Sequence, residues 1–182
     1  MKNLTFTLLV AGLLLTSTAC DKDNLTGFSF THDYAEFTIT VDSTSLQGDL
    51  NLGTMEIETD VQGLMSDNGV SVDNLNSVKV KAVNLSIEDS HATPYTFDLL
   101  GKIVTEISNT AGSSMKVFAK KDPVPTGGLS TIDLDVQDVE LMDYFKLSKI
   151  KFNISGFTNG PIEHSFNVKV KMKVKFEGEV IK

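Results

Sequence analysis

From Phe166 to Glu177 the chain alternates without a break. Phe166, Val168, Val170, Met172, Val174 and Phe176 are interleaved with Asn167, Lys169, Lys171, Lys173, Lys175 and Glu177. A period of two places all the apolar side chains on one face of a strand and all the lysines on the other. A helix would scatter the same residues around its whole circumference, so this segment admits one reading. At about 3.4 Å per residue it would run on the order of 35 Å, long for a strand, and it is expected to bend or to serve two sheets. The same period returns at Ile150, Phe152 and Ile154, at Ile132, Leu134 and Val136, and at Phe37, Ile39 and Val41. Val78 and Val80 start another strand, then Val83, Leu85 and Ile87 take over, so the phase slips near Lys81-Ala82 as at a β-bulge. Leu50 and Leu52 yield to Met55 and Ile57 in the same way, with Gly53 at the slip. Residues 103–107 and 115–119 are weaker strands.

Turn chemistry separates these runs. Asn109-Thr-Ala-Gly112 lies between two strands, and residues 122–128 hold two prolines and two glycines. Asn159-Gly160-Pro161 predicts a hairpin joining the last two strands. Residues 97–102 and 139–145 suit single helical turns, the second with Asp138 as its cap. About eight short strands, each with one polar face, predict an all-β fold, an antiparallel β-sandwich with one or two single-turn helices. The absence of tryptophan and of a cysteine pair removes the immunoglobulin hallmarks. No internal repeat is evident.

The first twenty residues follow a different logic. Lys2 precedes an apolar run to Leu15, then come small residues and Cys20, the sole thiol. That order is a secretory signal. The run is shorter than the roughly 20 apolar residues a spanning helix needs. Ser17-Thr18-Ala19-Cys20 resembles the lipobox of bacterial lipoproteins, with Ser17 where leucine is usual. The resemblance implies cleavage before Cys20, a diacylglycerol on its thiol and an acyl chain on its new amine. Each buried methylene contributes about 0.8 kcal/mol, and several chains hold firmly where one does not. The expected division is a signal peptide over 1–19, a lipidated tether over 20–27 and a sandwich over 28–182. Asp21-Lys22-Asp23 looks like the acid-rich export tags of surface lipoproteins in Bacteroidota; in enterobacteria an aspartate there resembles an inner-membrane retention tag. From about residue 63 to 180 the order of elements, from Ser77–Asp89 through Tyr95–Leu100 and Val139–Phe145 to a paired set of strands ending in the lysine row, resembles small uncharacterised lipoproteins of Bacteroidota. That likeness implies fold and location and no activity.

Composition narrows the chemistry. One cysteine excludes an internal disulfide framework. The chain has no arginine, and losing Lys2 with the signal takes its formal charge from −8 to −9, which argues against nucleic acid as a partner. His32, His91 and His164 are far apart, form no His-x-His or His-x-x-x-His pair, and read as exposed loop histidines. Their only adjacent acids are Asp33 and Glu163. Asp133 and Asp135 share one strand face with Asp138 beyond, a set that calcium can use but that is more often a solvated or ion-paired surface. Asp21-x-Asp23-Asn24 lacks the glycine and distal glutamate of a calcium loop. There is no Gly-x-Ser-x-Gly and no phosphate loop, and Gly127-Gly128 is explained by a turn. The row Lys169, Lys171, Lys173 and Lys175 fits either docking to an anionic surface or an edge strand guarded by charge and paired to acids. The expectation is a lipid-anchored protein of the outer membrane, surface-exposed, with Cys20 as its modified residue. It is a non-enzymatic structural or interaction module with no cofactor, metal or catalytic residue. Its partners would be the membrane and an envelope protein or glycan. The alternative is an accessory module binding glycan or calcium.

Overall fold

A computed structural model describes residues 25–181. In chain order the elements are β1 (Leu25–Asp33), β2 (Phe37–Val41), β3 (Gly48–Glu58), α1 (Val61–Asp67), β4 (Leu75–Glu88), β5 (Leu100–Ser108), β6 (Lys116–Lys121), β7 (Thr131–Asp133), β8 (Asp135–Val136), α2 (Met142–Phe145), β9 (Lys149–Thr158) and β10 (Phe166–Ile181). They form two five-stranded antiparallel sheets. One has the order β1-β10-β4-β7, with β2 also on β10; the other is β3-β9-β5-β6-β8. The apolar faces meet in one core that includes Phe97, Phe118, Phe145, Phe152 and Phe176, all nearly inaccessible to water. Phe37 of the first sheet meets Phe152 of the second edge-on at 5.0 Å. The protein is an all-β sandwich.

Strand β10 is the spine. Its apolar residues from Phe166 to Phe176 are buried while the lysines between them face out. It spans 16 residues, on the order of 50 Å at about 3.3 Å per residue. Of the two uses expected for that length, serving two sheets is not the one found: it stays in one sheet, pairing successively with β2 and β1 along one edge and with β4 along the other. Both predicted bulges are present. Ala82 pairs with Lys173 and Val80 with Val174, so Lys81 is the extra residue. Asn51 pairs with Ser155 and Gly53 with Ile154, so Leu52 is extra in β3. A Cβ on Gly53 would fall on Ile39 Cγ2, so the bulge needs glycine for close approach of β2.

Several expectations are corrected. The 159–165 segment is not a hairpin: β9 lies between β3 and β5, β10 lies in the other sheet, and neither has a free edge for the other. The segment crosses between sheets, held by a two-bond bridge from Ile162 to Thr44 at 2.8 Å each. Residues 25–27 belong to β1, with Leu25 opposite Ile181, so the body starts before residue 28. β1 itself was readable, since Phe28, Phe30 and His32 alternate with polar neighbours. The strand expected over 131–136 breaks at Leu134: Asp133 pairs with Asn84 in one sheet and Asp135 with Lys120 in the other. Helix α1 was unforeseen, although Val61, Leu64 and Met65 have helical spacing and Val61 and Met65 are buried.

The cap of α2 is also displaced. Asp138 does not cap it but pairs with Lys79 at 2.7 Å. The Glu140 carboxylate instead accepts from the N–H groups of Leu141 and Met142 at 3.0 and 2.9 Å, from Val78 N–H at 2.7 Å and from the Ser77 hydroxyl at 2.6 Å. One side chain thus accepts from the first N–H of the helix and from the residue before it, and ties both to β4. Partial burial pushes the Glu140 pKa up, but these donors outweigh it and hold the carboxyl below its ordinary value.

Two outcomes follow from this packing. Gly53→Ala should lower stability by about 1–3 kcal/mol, whereas Gly160→Ala, which meets open space, should stay within about 0.5 kcal/mol; urea midpoints distinguish them. Glu140→Gln should be less stable than the wild type at neutral pH. Because the folded pKa lies below the unfolded value of about 4.3, the gap should be full above that value and vanish as pH falls through the lowered folded pKa. Denaturation at pH 7 and pH 3 tests the sign.

Candidate functional site

Beyond the last residue of β4 the chain turns through Asp89, Ser90 and His91. The crossing segment before β10 brings His164 to the same place, because Glu88 pairs with Asn167. The Asp89 side chain is 1% exposed although it stands at the rim of the sandwich. Its Oδ1 lies 2.7 Å from His91 Nδ1 and accepts the His91 backbone N–H at 3.0 Å. Its Oδ2 lies 2.9 Å from His164 Nε2 and accepts the Tyr95 backbone N–H at 2.8 Å. Burial raises the Asp89 pKa, but the ring of His164, the two backbone N–H groups and the ring of His91 together hold the carboxyl well below the usual carboxylate range.

Aromatic packing fixes the second layer. The rings of His91 and His164 lie 3.7 Å apart between centroids. Tyr95 stacks on the other side of His164 at 4.3 Å, with an interplanar angle of 17°, and Phe166 supports Tyr95 at 5.2 Å. The Tyr95 hydroxyl accepts the Glu163 N–H at 2.6 Å. Asp89, His91 and His164 offer one ligand atom each, all within 4.8 Å of one another.

Sequence reasoning treated these histidines as separate loop residues, and the structure corrects that. His164 is three-quarters buried and His91 half-exposed, and both turn toward Asp89. His32 is half-buried on β1, edge-on to Tyr34 at 4.9 Å. Neither neighbouring acid, Asp33 or Glu163, is the partner. The juxtaposition depends on strand register, so spacing along the chain carried no signal of it; the available hint was Asp-x-His at 89–91, a pattern that often makes a local turn.

The other predicted residues have ordinary partners. Asp133 accepts from the Asn84 amide at 2.9 Å, Asp135 pairs with Lys121 at 3.0 Å, and Asp138 with Lys79. Each carboxylate of that trio therefore has its own partner. The lysine row lies on a central strand, so guarding a free edge is not its role. Lys169 and Lys171 share Glu36 at 3.2 Å each, Lys173 meets Asp33 at 3.4 Å across the strand pair, and Lys175 meets Glu177 at 2.6 Å. Lys169 also pairs with Glu88. The N–H groups of Gly127 and Gly128 converge on the Asp98 carboxylate at 3.1–3.2 Å, so the chain's own acid fills that glycine turn. A concavity of about 490 Å³ lies between residues 58–62 and 145–149 and is bordered by the Lys149–Glu58 pair at 3.3 Å. Cys20, the signal segment and Asp21-x-Asp23-Asn24 lie outside the described residues. Among the described residues no helix is long and apolar enough to cross a membrane.

No family model and no curated protein matches the chain. Solved structures similar to it include Desmodium yellow mottle tymovirus, with 9% identity, coverage of 100% of this chain and 98% of the other, and a TM-score of 0.24. The decameric BFDV capsid protein has 15% identity, coverage of 84% and 98%, and a TM-score of 0.30. The infectious bursal disease virus Gx strain structure has 10% identity, coverage of 87% and 37%, and a TM-score of 0.25. Likenesses this loose carry no argument about what the chain does.

The contrast between buried and exposed charge is measurable. Asp89→Ala removes the shared acceptor of two backbone N–H groups and should lower stability, seen as a lower denaturation midpoint. Lys173→Ala breaks an exposed pair and should change it by less than about 0.5 kcal/mol. Chemical denaturation of both variants at pH 7 checks the difference.

Proposed function

We propose that this chain is a lipid-anchored cell-envelope protein of the outer membrane, a non-enzymatic interaction module whose sandwich is held at the surface through Cys20. The supporting observation is the position of Cys20 relative to the fold. Only residues 21–24 separate it from β1, and Leu25 pairs with Ile181 at the C-terminal end of β10. The Asp89–His91–His164 cluster adjoins the opposite end, at the start of β10. An anchor at Cys20 would therefore keep one end of the sandwich near the lipid and hold the cluster up to about 50 Å away along β10. The loops at that far end would be the surface a partner meets.

The neutralised lysine row fits this arrangement better than lipid docking does, because each lysine already faces an acid. Nor does the cluster suit calcium, which takes oxygen ligands, since two of its three donors are imidazole nitrogens.

The test is fractionation in a diderm bacterium. Wild type should sediment with membranes and carry acyl chains on Cys20 by mass spectrometry, and Cys20→Ala should be found in the soluble fraction. An alanine variant that still sediments after a high-salt wash, or an unmodified Cys20 thiol in the wild type, overturns the proposal.

A further inference from the structure

We propose that Asp89, His91 and His164 form a binding site for a divalent transition metal ion of the Zn²⁺ type, at the end of the sandwich opposite β1's start. The inference does not depend on lipid at Cys20. Imidazole nitrogen and carboxylate oxygen together are a donor set suited to zinc, and three protein ligands leave one coordination position open.

The geometry is close to what such an ion requires. Zinc bonds of about 2.0–2.2 Å in a tetrahedron place ligand atoms about 3.4 Å apart. Here the ring nitrogens stand 2.7 and 2.9 Å from the carboxylate oxygens, and all three ligand atoms lie within 4.8 Å. Admitting an ion therefore asks for shifts of about half an ångström to an ångström and a half between side chains. The His91 side chain, 51% exposed, is the least enclosed of the three ligands and the one to make such a shift. His164 is held by Tyr95, and Asp89 by two backbone N–H groups, so two of the three ligands are already oriented. Hydrogen bonds to a ligating carboxylate, like those on Asp89, orient it in metal sites generally.

Without metal the carboxylate is satisfied by ring N–H groups. A neutral imidazole carries a single N–H, and moving it to the other ring nitrogen frees a lone pair toward the ion. The ion then takes the place that the two ring protons occupy between the histidines and Asp89. A polar recess of about 260 Å³, bordered by Thr40, Ser90, Ser165 and Asn167, is also lined by Asp89 and His91, so solvent reaches these two ligands.

The experiment is calorimetric titration of the full chain in detergent with Zn²⁺ alone, carrying Cys20→Ala so that the thiol contributes no ligand. One equivalent should bind with a dissociation constant in the micromolar range or tighter. His91→Gln, an exposed substitution, should weaken binding at least tenfold while circular dichroism in the absence of metal stays that of the folded sandwich; His164→Gln should also weaken binding at least tenfold, with a lower melting temperature because its ring packs on Tyr95 and bonds Asp89. His32→Gln should leave affinity unchanged. In histidine-selective NMR, Zn²⁺ should shift the ring signals of His91 and His164 and leave those of His32 in place. No binding at millimolar Zn²⁺ overturns the assignment. So does full affinity in His91→Gln, or a loss in His32→Gln equal to that in His91→Gln.

Discussion

Strand β10 has hydrogen-bond partners along both edges, and the rest of the molecule is arranged by that fact. A strand flanked on both sides must bury one face along its whole length, and the unbroken alternation from Phe166 to Phe176 supplies that face. Its length sets the height of the sheet. β1 and β2 share one edge because neither alone is long enough to cover it, and β4 takes the other with a bulge at Lys81 that keeps Val78 and Val80 in phase with Val83 and Leu85. The second sheet packs on that face through β9, whose Ile150, Phe152 and Ile154 are buried.

The two central strands also explain where the polar chemistry sits. A lysine on a central strand has neighbours on both sides, and acids at Asp33, Glu36 and Glu88 meet the row from β1, the β1–β2 connection and the end of β4. These pairs are exposed and contribute little each. Asp89 is different. It sits where β4 ends and the crossing segment arrives, shielded by His91, His164 and Tyr95 and fully hydrogen-bonded. A buried charge needs such partners, so this corner is built around the carboxylate in a way that the lysine face is not.

The sequence by itself determined the fold class, because a period of two between apolar and polar residues is compatible only with strands that have one dry face. It also determined both bulges, since a phase slip is written directly in the order of side chains at Lys81-Ala82 and at Gly53. It did not determine which strands are neighbours. Asn159-Gly160-Pro161 has the chemistry of a tight hairpin, yet the segment crosses between sheets because β9 and β10 each have both edges occupied. Cap choice at α2 was equally open, as Asp138 and Glu140 are both plausible acceptors and only the position of Val78 and Ser77 selects Glu140. The union of Asp89 with His164 was decided by tertiary structure alone: the two are far apart in the chain, and they meet because the register of β4 on β10 places Glu88 beside Asn167. Alternation fixes which way a side chain faces, whereas pairing between distant strands depends on the packing of the whole core.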